Sequence, residues 1–187
     1  MSVPRAVASG SRNVVMKRDH IEFSDRSSPV GYLLTFRCYG TWLHGDKRGS
    51  VDRNHRHYGT PMLPSSGRRE IHEIRLMKQP PVRLNRLRRR AVQTSIRDTC
   101  TLRRWRLWTL NVRTSHVHAV VSSNNNPSAM LTALKANATR SMRENQCWLS
   151  GLSPWARGGS KKYLWDENQL FQAIEYVDCG QGRPLKN

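Results

Sequence analysis

Two apolar runs, Trp105–Val112 (WRLWTLNV) and His116–Ser123 (HVHAVVSS), are joined by a short linker around Arg113 and Thr114. So short a connection leaves no room for a crossover, so the runs are expected to pair as antiparallel neighbours in one sheet. Side chains alternate across a strand with period two. His116 and His118 therefore share one face and Val117 takes the other.

The remaining elements arrange themselves around this hairpin. Gly31–Tyr39 (GYLLTFRCY) reads as a strand closed by Gly40, and residues 40–81, rich in Gly and Pro, read as a long functional or mobile loop. Residues 82–102 read as a helix that Pro81 opens. Leu84, Leu87, Ala91, Ser95 and Leu102 share one face, and Arg83, Arg86, Arg90 and Arg97 lie roughly opposite. That stripe fits a nucleic-acid contact and a solvated helix back equally well. Asn126 caps a helix with Pro127 at its first position, and Met130, Leu131, Leu134, Ala138 and Met142 supply its apolar face to about Asn145. Lys161–Trp165 is a short strand, and Asp166 caps a last helix, Glu167–Cys179, ended by Gly180 and Gly182. The order is β-α-β-β-α-β plus a C-terminal helix. This predicts an α+β fold, a ferredoxin-like sandwich with an antiparallel sheet, with the extra helix packed beside the sheet. Residues 1–28 read as a disordered basic arm, 29–182 as one domain and 183–187 as a tail.

Lys and Arg number 32 against 13 Asp and Glu, a formal charge of +19. Solvated surfaces usually mix both signs, so this imbalance points to a polyanion, most simply nucleic acid. The excess of Arg over Lys favours bidentate phosphate contact, although a GC-rich genome would enrich Arg as well. Cys38, Cys100, Cys147 and Cys179 form no Cys-x-x-Cys pair, which argues against a zinc ribbon or disulfide scaffold and suits a reducing cytoplasm. No apolar run approaches the ~20 residues that span a bilayer, so the expectation is a soluble cytoplasmic protein, associated with the nucleoid, with no membrane partner.

Imidazoles about 7 Å apart along one strand can converge on one cation, with a coordination position left for a phosphate oxygen. A bare His-x-His is better explained by two hydrogen-bonded histidines on a half-buried strand. Its place in the most strand-like stretch of a very basic chain favours the metal. His55-Arg56-His57 repeats the spacing, but Arg between the histidines and Tyr-Gly-Thr-Pro after them make it a loop. Tyr176 lies on the last helix, off the Leu170, Ile174 and Val177 stripe, so it is not an obvious core residue. A phenol becomes a useful nucleophile only beside a cation or base, and the histidine pair is the plausible source. Tyr32, Tyr39, Tyr58 and Tyr163 lie on expected strands or in the long loop, where packing with a bonded hydroxyl explains them better.

The His-hydrophobic-His strand, the helix after it and a tyrosine on a late helix resemble the tyrosine transposases of the HUH superfamily. More narrowly they are similar to the single-domain insertion-element transposases and the REP-associated tyrosine transposases. The resemblance runs over roughly residues 29–182. It includes Tyr32-Leu33-Leu34-Thr35-Phe36, the loop Tyr39-Gly40-Thr41-Trp42-Leu43-His44-Gly45-Asp46, Asn111-Val112-Arg113-Thr114 and the Tyr-Val-x-x-Gly-Gln ending. It implies an endonuclease and strand transferase acting on single-stranded DNA, at hairpin ends. His116 and His118 would bind Mg²⁺ or Mn²⁺, and Tyr176 would form a 5′-phosphotyrosine. The family commonly carries a polar ligand four residues after the tyrosine. Gly180 stands there in this chain, which makes Gln181 the nominee and Asp178 and Glu175 the alternatives. Arg83, Arg86, Arg90, Arg97 and Arg113 are the candidate DNA contacts. The resemblance leaves monomer and homodimer open, with the tyrosine serving its own or a partner's histidines.

Other classes compete. A non-catalytic, domesticated nucleic-acid-binding protein accounts for the charge, the Arg stripe and six tryptophans, but leaves the histidine–tyrosine alignment as coincidence. A water-using phosphodiesterase or a carboxylate-triad transposase needs more acidic ligands than this chain offers.

Overall fold

A computed structural model describes residues 28–50 and 61–180. The N-terminal arm up to residue 27, the His55-Arg56-His57 triplet, Tyr58, Gln181 and the tail lie outside the described residues. The elements are β1 (Gly31–Arg37), α1 (Gly67–Arg75), α2 (Arg86–Leu102), β2 (Arg106–Val112), β3 (His116–Ser122), α3 (Pro127–Glu144), β4 (Ser160–Leu164) and α4 (Glu167–Cys179). The four strands form one sheet in the order β2-β3-β1-β4, antiparallel throughout. With α1 set aside, the first seven elements trace the ferredoxin-like β-α-β-β-α-β path, and α4 is the added element. The fold is α+β, as the element order predicts.

Period-two alternation divides the sheet into two chemically different faces. Leu34, Phe36, Val117, Ala119 and Val121 meet Val92 and Ile96 of α2 and Met130, Leu134, Ala138 and Met142 of α3 in the main core. On the other face Val120 and Leu164 pack against Leu170, Ala173 and Val177 of α4. Capping is local and legible. The Asn126 side chain accepts from the Ser128 amide at 2.8 Å with Pro127 behind it, and Asp166 accepts from the Gln169 amide at 2.8 Å.

Two expectations need correction. The helix expected from residue 82 starts at Arg86, because Asn85 caps it and accepts from the Arg88 amide at 3.0 Å. The segment before it is extended, with the Val82 amide bonded to the Tyr39 carbonyl and the Leu84 amide to that of Thr114, each at 2.8 Å. Its buried stripe is Ala91, Val92, Ser95, Ile96, Thr99 and Cys100, while Leu87 and Leu102 stay 66% and 83% exposed. Leu87 lies about 140° round the helix from Val92, so grouping the two end leucines on one face misphased it. The loop of residues 40–81 also holds a helix, α1, capped by Ser66 and burying none of its own residues. Hydrophobic burial therefore left no core signal for α1 in the sequence.

Burial sorts the cysteines. Cys38 and Cys100 sit in the main core, where loss of hydration pushes their thiols up to about 12 and about 11, whereas Cys179 is exposed. At pH 8 native protein should therefore be alkylated at Cys179 within minutes, while Cys38 and Cys100 react only after unfolding. Peptide mass spectrometry checks this, and fast native labelling of Cys38 would contradict the packing of β1.

Candidate active site

The site begins with strand register. On β1, Thr35 pairs with His118 and Arg37 with His116, so all four side chains rise from the face that carries α4. The Thr35 hydroxyl lies 2.7 Å from His118 Nδ1, and the Ser115 hydroxyl lies 3.0 Å from His116 Nδ1. A hydroxyl that accepts the Nδ1 proton directs the imidazole lone pair to Nε2, the orientation that metal-binding histidines use. The two rings stand 4.8 Å apart at 75°, and His118 is 7% exposed.

Helix α4 brings the phenol. Leu170, Ala173 and Val177 seat it on the sheet, and Asn111 Nδ2 donates to the Val177 carbonyl at 2.9 Å. Thr109, on the same edge strand as Asn111, donates to the Asp178 carboxylate. Held this way, α4 turns Tyr176 toward the histidines, its ring 5.6 Å from that of His118 at 78°, with the side chain 48% exposed. The histidine pair and the tyrosine come together within one chain.

Of the alternative ligands, Asp178 is tied to β2 by Thr109, and Glu175 is exposed and lines a surface depression with Gln172, Tyr176, Cys179 and Gly180, apart from the histidine pocket. Neither carboxylate joins the histidine pair. Gly180 abuts the tyrosine: a Cβ there would lie 2.6 Å from the Tyr176 carbonyl oxygen. Among the described residues no group of three or more His, Cys, Asp or Glu could hold a metal ion.

The remaining nominees lie elsewhere. Arg83, Arg86, Arg90 and Arg97 are exposed, on or just ahead of α2, which packs on the sheet face opposite α4. Arg113 sits in the β2–β3 turn, where its amide donates to the His116 carbonyl at 2.8 Å.

Sequence reasoning overlooked a second group. A pocket of about 240 Å³ is lined by His116, His118 and Tyr176 together with Thr35, Arg37, Thr41, Trp42, Arg48 and Ser115. The loop after β1 supplies three of these. Thr41 donates to the Cys38 carbonyl at 2.9 Å, and the Trp42 indole donates to the Gly49 carbonyl at 2.6 Å. Gly45 has φ +96° and no room for a Cβ, which would lie 2.4 Å from the Ser66 carbonyl oxygen. Arg48 Nε donates to Asp46 at 2.8 Å, and this pairing holds the Asp46 carboxyl well below the usual carboxylate range. Alternation with Leu34, Phe36 and Cys38 along β1 puts Thr35 and Arg37 on the face away from the core, but nothing local in the sequence ties them to the histidines.

No protein-family model matches the chain, and no curated protein matches it. Among solved structures it is similar to the crystal structure of a "putative transposase" from Deinococcus radiodurans, with 14% identity and a TM-score of 0.42. That alignment covers 87% of this chain and 94% of the other. Among the described residues no helix is long and apolar enough to cross a membrane.

The Thr35–His118 contact is testable without substrate. Thr35→Val should cost about 1 kcal/mol of stability, the net worth of one hydrogen bond. Imidazole ¹⁵N spectra should show the Nδ1–H tautomer of His118 in the native protein and a mixture in the variant. An unchanged tautomer would remove Thr35 as the orienting group.

Proposed function

We propose that this protein is a divalent-metal-dependent transposase that nicks and rejoins single-stranded DNA through a 5′-phosphotyrosine on Tyr176. One observation carries the reading: the Tyr176 ring lies 5.6 Å from His118, whose neighbour His116 is 4.8 Å further, in a pocket that also holds Arg37 and Arg48. A phenol, two oriented imidazoles and two guanidiniums suit attack on a phosphodiester, and a charge of +19 suits its polyanionic carrier.

His116 and His118 would hold Mg²⁺ or Mn²⁺, with Gln181 as a further candidate donor. When bound, such an ion withdraws charge from the phosphate oxygens. The chain's own residues do the rest. Tyr176 Oη passes its proton to solvent water and attacks phosphorus in line. The new Oη–P bond forms as the P–O3′ bond breaks, and the departing oxygen takes a proton to become a free 3′ hydroxyl. The phosphotyrosine ester is close in energy to the bond broken, so a 3′ hydroxyl can reverse the step without ATP. Half-exposure of Tyr176 leaves room for a DNA strand to approach it. The resemblance to the HUH transposases implies hairpin ends as the preferred DNA.

A 3′-labelled pool of random single strands tests this, because attack at a 5′ phosphate leaves the label on the protein. Denatured wild-type protein should retain label in the presence of Mg²⁺ or Mn²⁺. Tyr176→Phe should abolish retention with stability changed by no more than ~0.5 kcal/mol. His116→Ala and His118→Ala should lower it by about 10²-fold or more while DNA binding persists. Label retained by Tyr176→Phe would locate the nucleophile elsewhere, and binding without any adduct would leave a DNA-binding protein.

The α2 arginines call for a separate measurement. If they hold DNA on the far face of the domain, replacing Arg83, Arg86 and Arg90 by Gln should reduce the salt slope of binding by ~2, at ~0.7 per phosphate contact. Adduct chemistry on bound DNA should be spared. An unchanged slope would make the stripe a solvated surface.

A further inference from the structure

Arg37 ends β1 directly across from His116 and lines the pocket with His118 and Tyr176. Its guanidinium carbon lies 3.3 Å from the centroid of the Trp42 ring, and the Arg48 guanidinium is 4.5 Å from the same ring. The two cations are held differently. Arg48 has Asp46, with Nε to Oδ1 at 2.8 Å and the Arg48 amide to the same oxygen at 2.9 Å, and it also donates to the Thr41 carbonyl at 3.0 Å. Arg37 makes no side-chain hydrogen bond and no ion pair among the described residues, only the cation–π contact. Asp46, the acid that could serve it, is taken by Arg48.

Arg37 is therefore a half-buried cation next to another cation, with donors and no acceptor among the described residues. Burial, and then the charge of Arg48, push its pKa down to about 10, against smaller opposing effects of Asp46 and Tyr176. It stays protonated at neutral pH. An anion entering the pocket would supply the missing acceptors and relieve the repulsion together. A guanidinium fork suits two oxygens of one phosphate.

We propose that Arg37, stacked on Trp42, binds the backbone phosphate of single-stranded DNA that Tyr176 attacks. This deepens the nicking reading and rests on it. Arg48 and Trp42 act as positioning residues. Arg48 occupies Asp46 and so keeps that carboxylate off Arg37, while the ring fixes the plane of the Arg37 fork. With guanidiniums near the ring, Trp42 serves as a platform for arginine rather than for a base. Charge that grows on the phosphoryl oxygens during attack falls beside a donor already in place.

The experiment uses the full chain and three DNA-free-fold-checked proteins: wild type, Arg37→Gln and Arg37→Lys. Affinity for a single-stranded thymidine 20-mer is measured against salt, and adduct yield is measured with the 3′-labelled random pool. Arg37→Gln should lower the salt slope by ~0.7, one phosphate contact, and slow adduct formation at saturating DNA by about 10²–10³-fold. Arg37→Lys keeps the charge, so it should restore the slope but only part of the rate, because a point charge cannot make the fork. An Arg37→Gln protein with wild-type slope overturns the phosphate assignment, and so does one whose adduct rate is undiminished while wild type forms adduct. If wild type forms no adduct, the nicking reading fails by itself and the salt slope still decides whether Arg37 binds phosphate.

Discussion

Everything at the site hangs on the pairing of β1 with β3. Because side chains alternate with period two, a slip of one residue would turn His116 and His118 into the core and expose Val117, Ala119 and Val121. The apolar contacts prevent this. Phe36 is fully buried and meets the Trp155 ring edge-on at 4.9 Å, while Leu34, Val117 and Ala119 are buried beneath α2 and α3. Packing on one face thus sets, on the other, which β1 residue stands across from each histidine. Thr35 meets His118 and Arg37 meets His116 only in that register. The polar site is the reverse side of the hydrophobic core.

The second constraint is where the acids go. In a chain with 13 acidic residues against 32 basic ones, a carboxylate near a cation site is scarce and its partner matters. Asp178 is engaged by Thr109 on β2, and with the Asn111 bond to the Val177 carbonyl it fixes the rotation of α4. Asp46 is engaged by Arg48. Both are used to position other groups. On its histidine side Tyr176 therefore shares a pocket with two imidazoles and two guanidiniums, and among the described residues no group of three or more His, Cys, Asp or Glu could hold a metal ion.

Much of this was legible locally. Asn126 with Pro127 and Asp166 announced the starts of α3 and α4, and the short linker at Arg113 announced the hairpin, because caps and tight turns are written within a few residues. Helix α1 was not legible, since it buries nothing, and α2 was misphased by two exposed leucines at its ends. The site divides in the same way. His116, His118 and Tyr176 stood out by residue type and spacing. Thr35 did not, because its value comes from a contact 83 residues away in sequence, which only strand register creates. Arg37, Trp42 and Arg48 were hidden for a related reason. Arginine is common throughout this chain, and only three-dimensional placement separates Arg37, in the pocket beside Trp42, from those facing solvent.

Burial across the pocket is graded in a way that suits the proposed chemistry. His118 is almost fully enclosed, with its Nδ1 held by Thr35, while Arg37 is half-buried against an indole and Tyr176 is half in solvent. Groups that must keep one orientation are on strands, where neighbouring side chains lock their rotamers. Tyr176 is at the rim, on a helix tied down by the Asn111 bond to the Val177 carbonyl and by the Thr109 bond to Asp178. Gly180 completes this arrangement, because any larger residue there would press on the Tyr176 carbonyl and ring. A phenol buried as deeply as His118 would pack better but could not reach a phosphodiester. Its exposure forgoes some stability from burial and keeps the ring half in solvent.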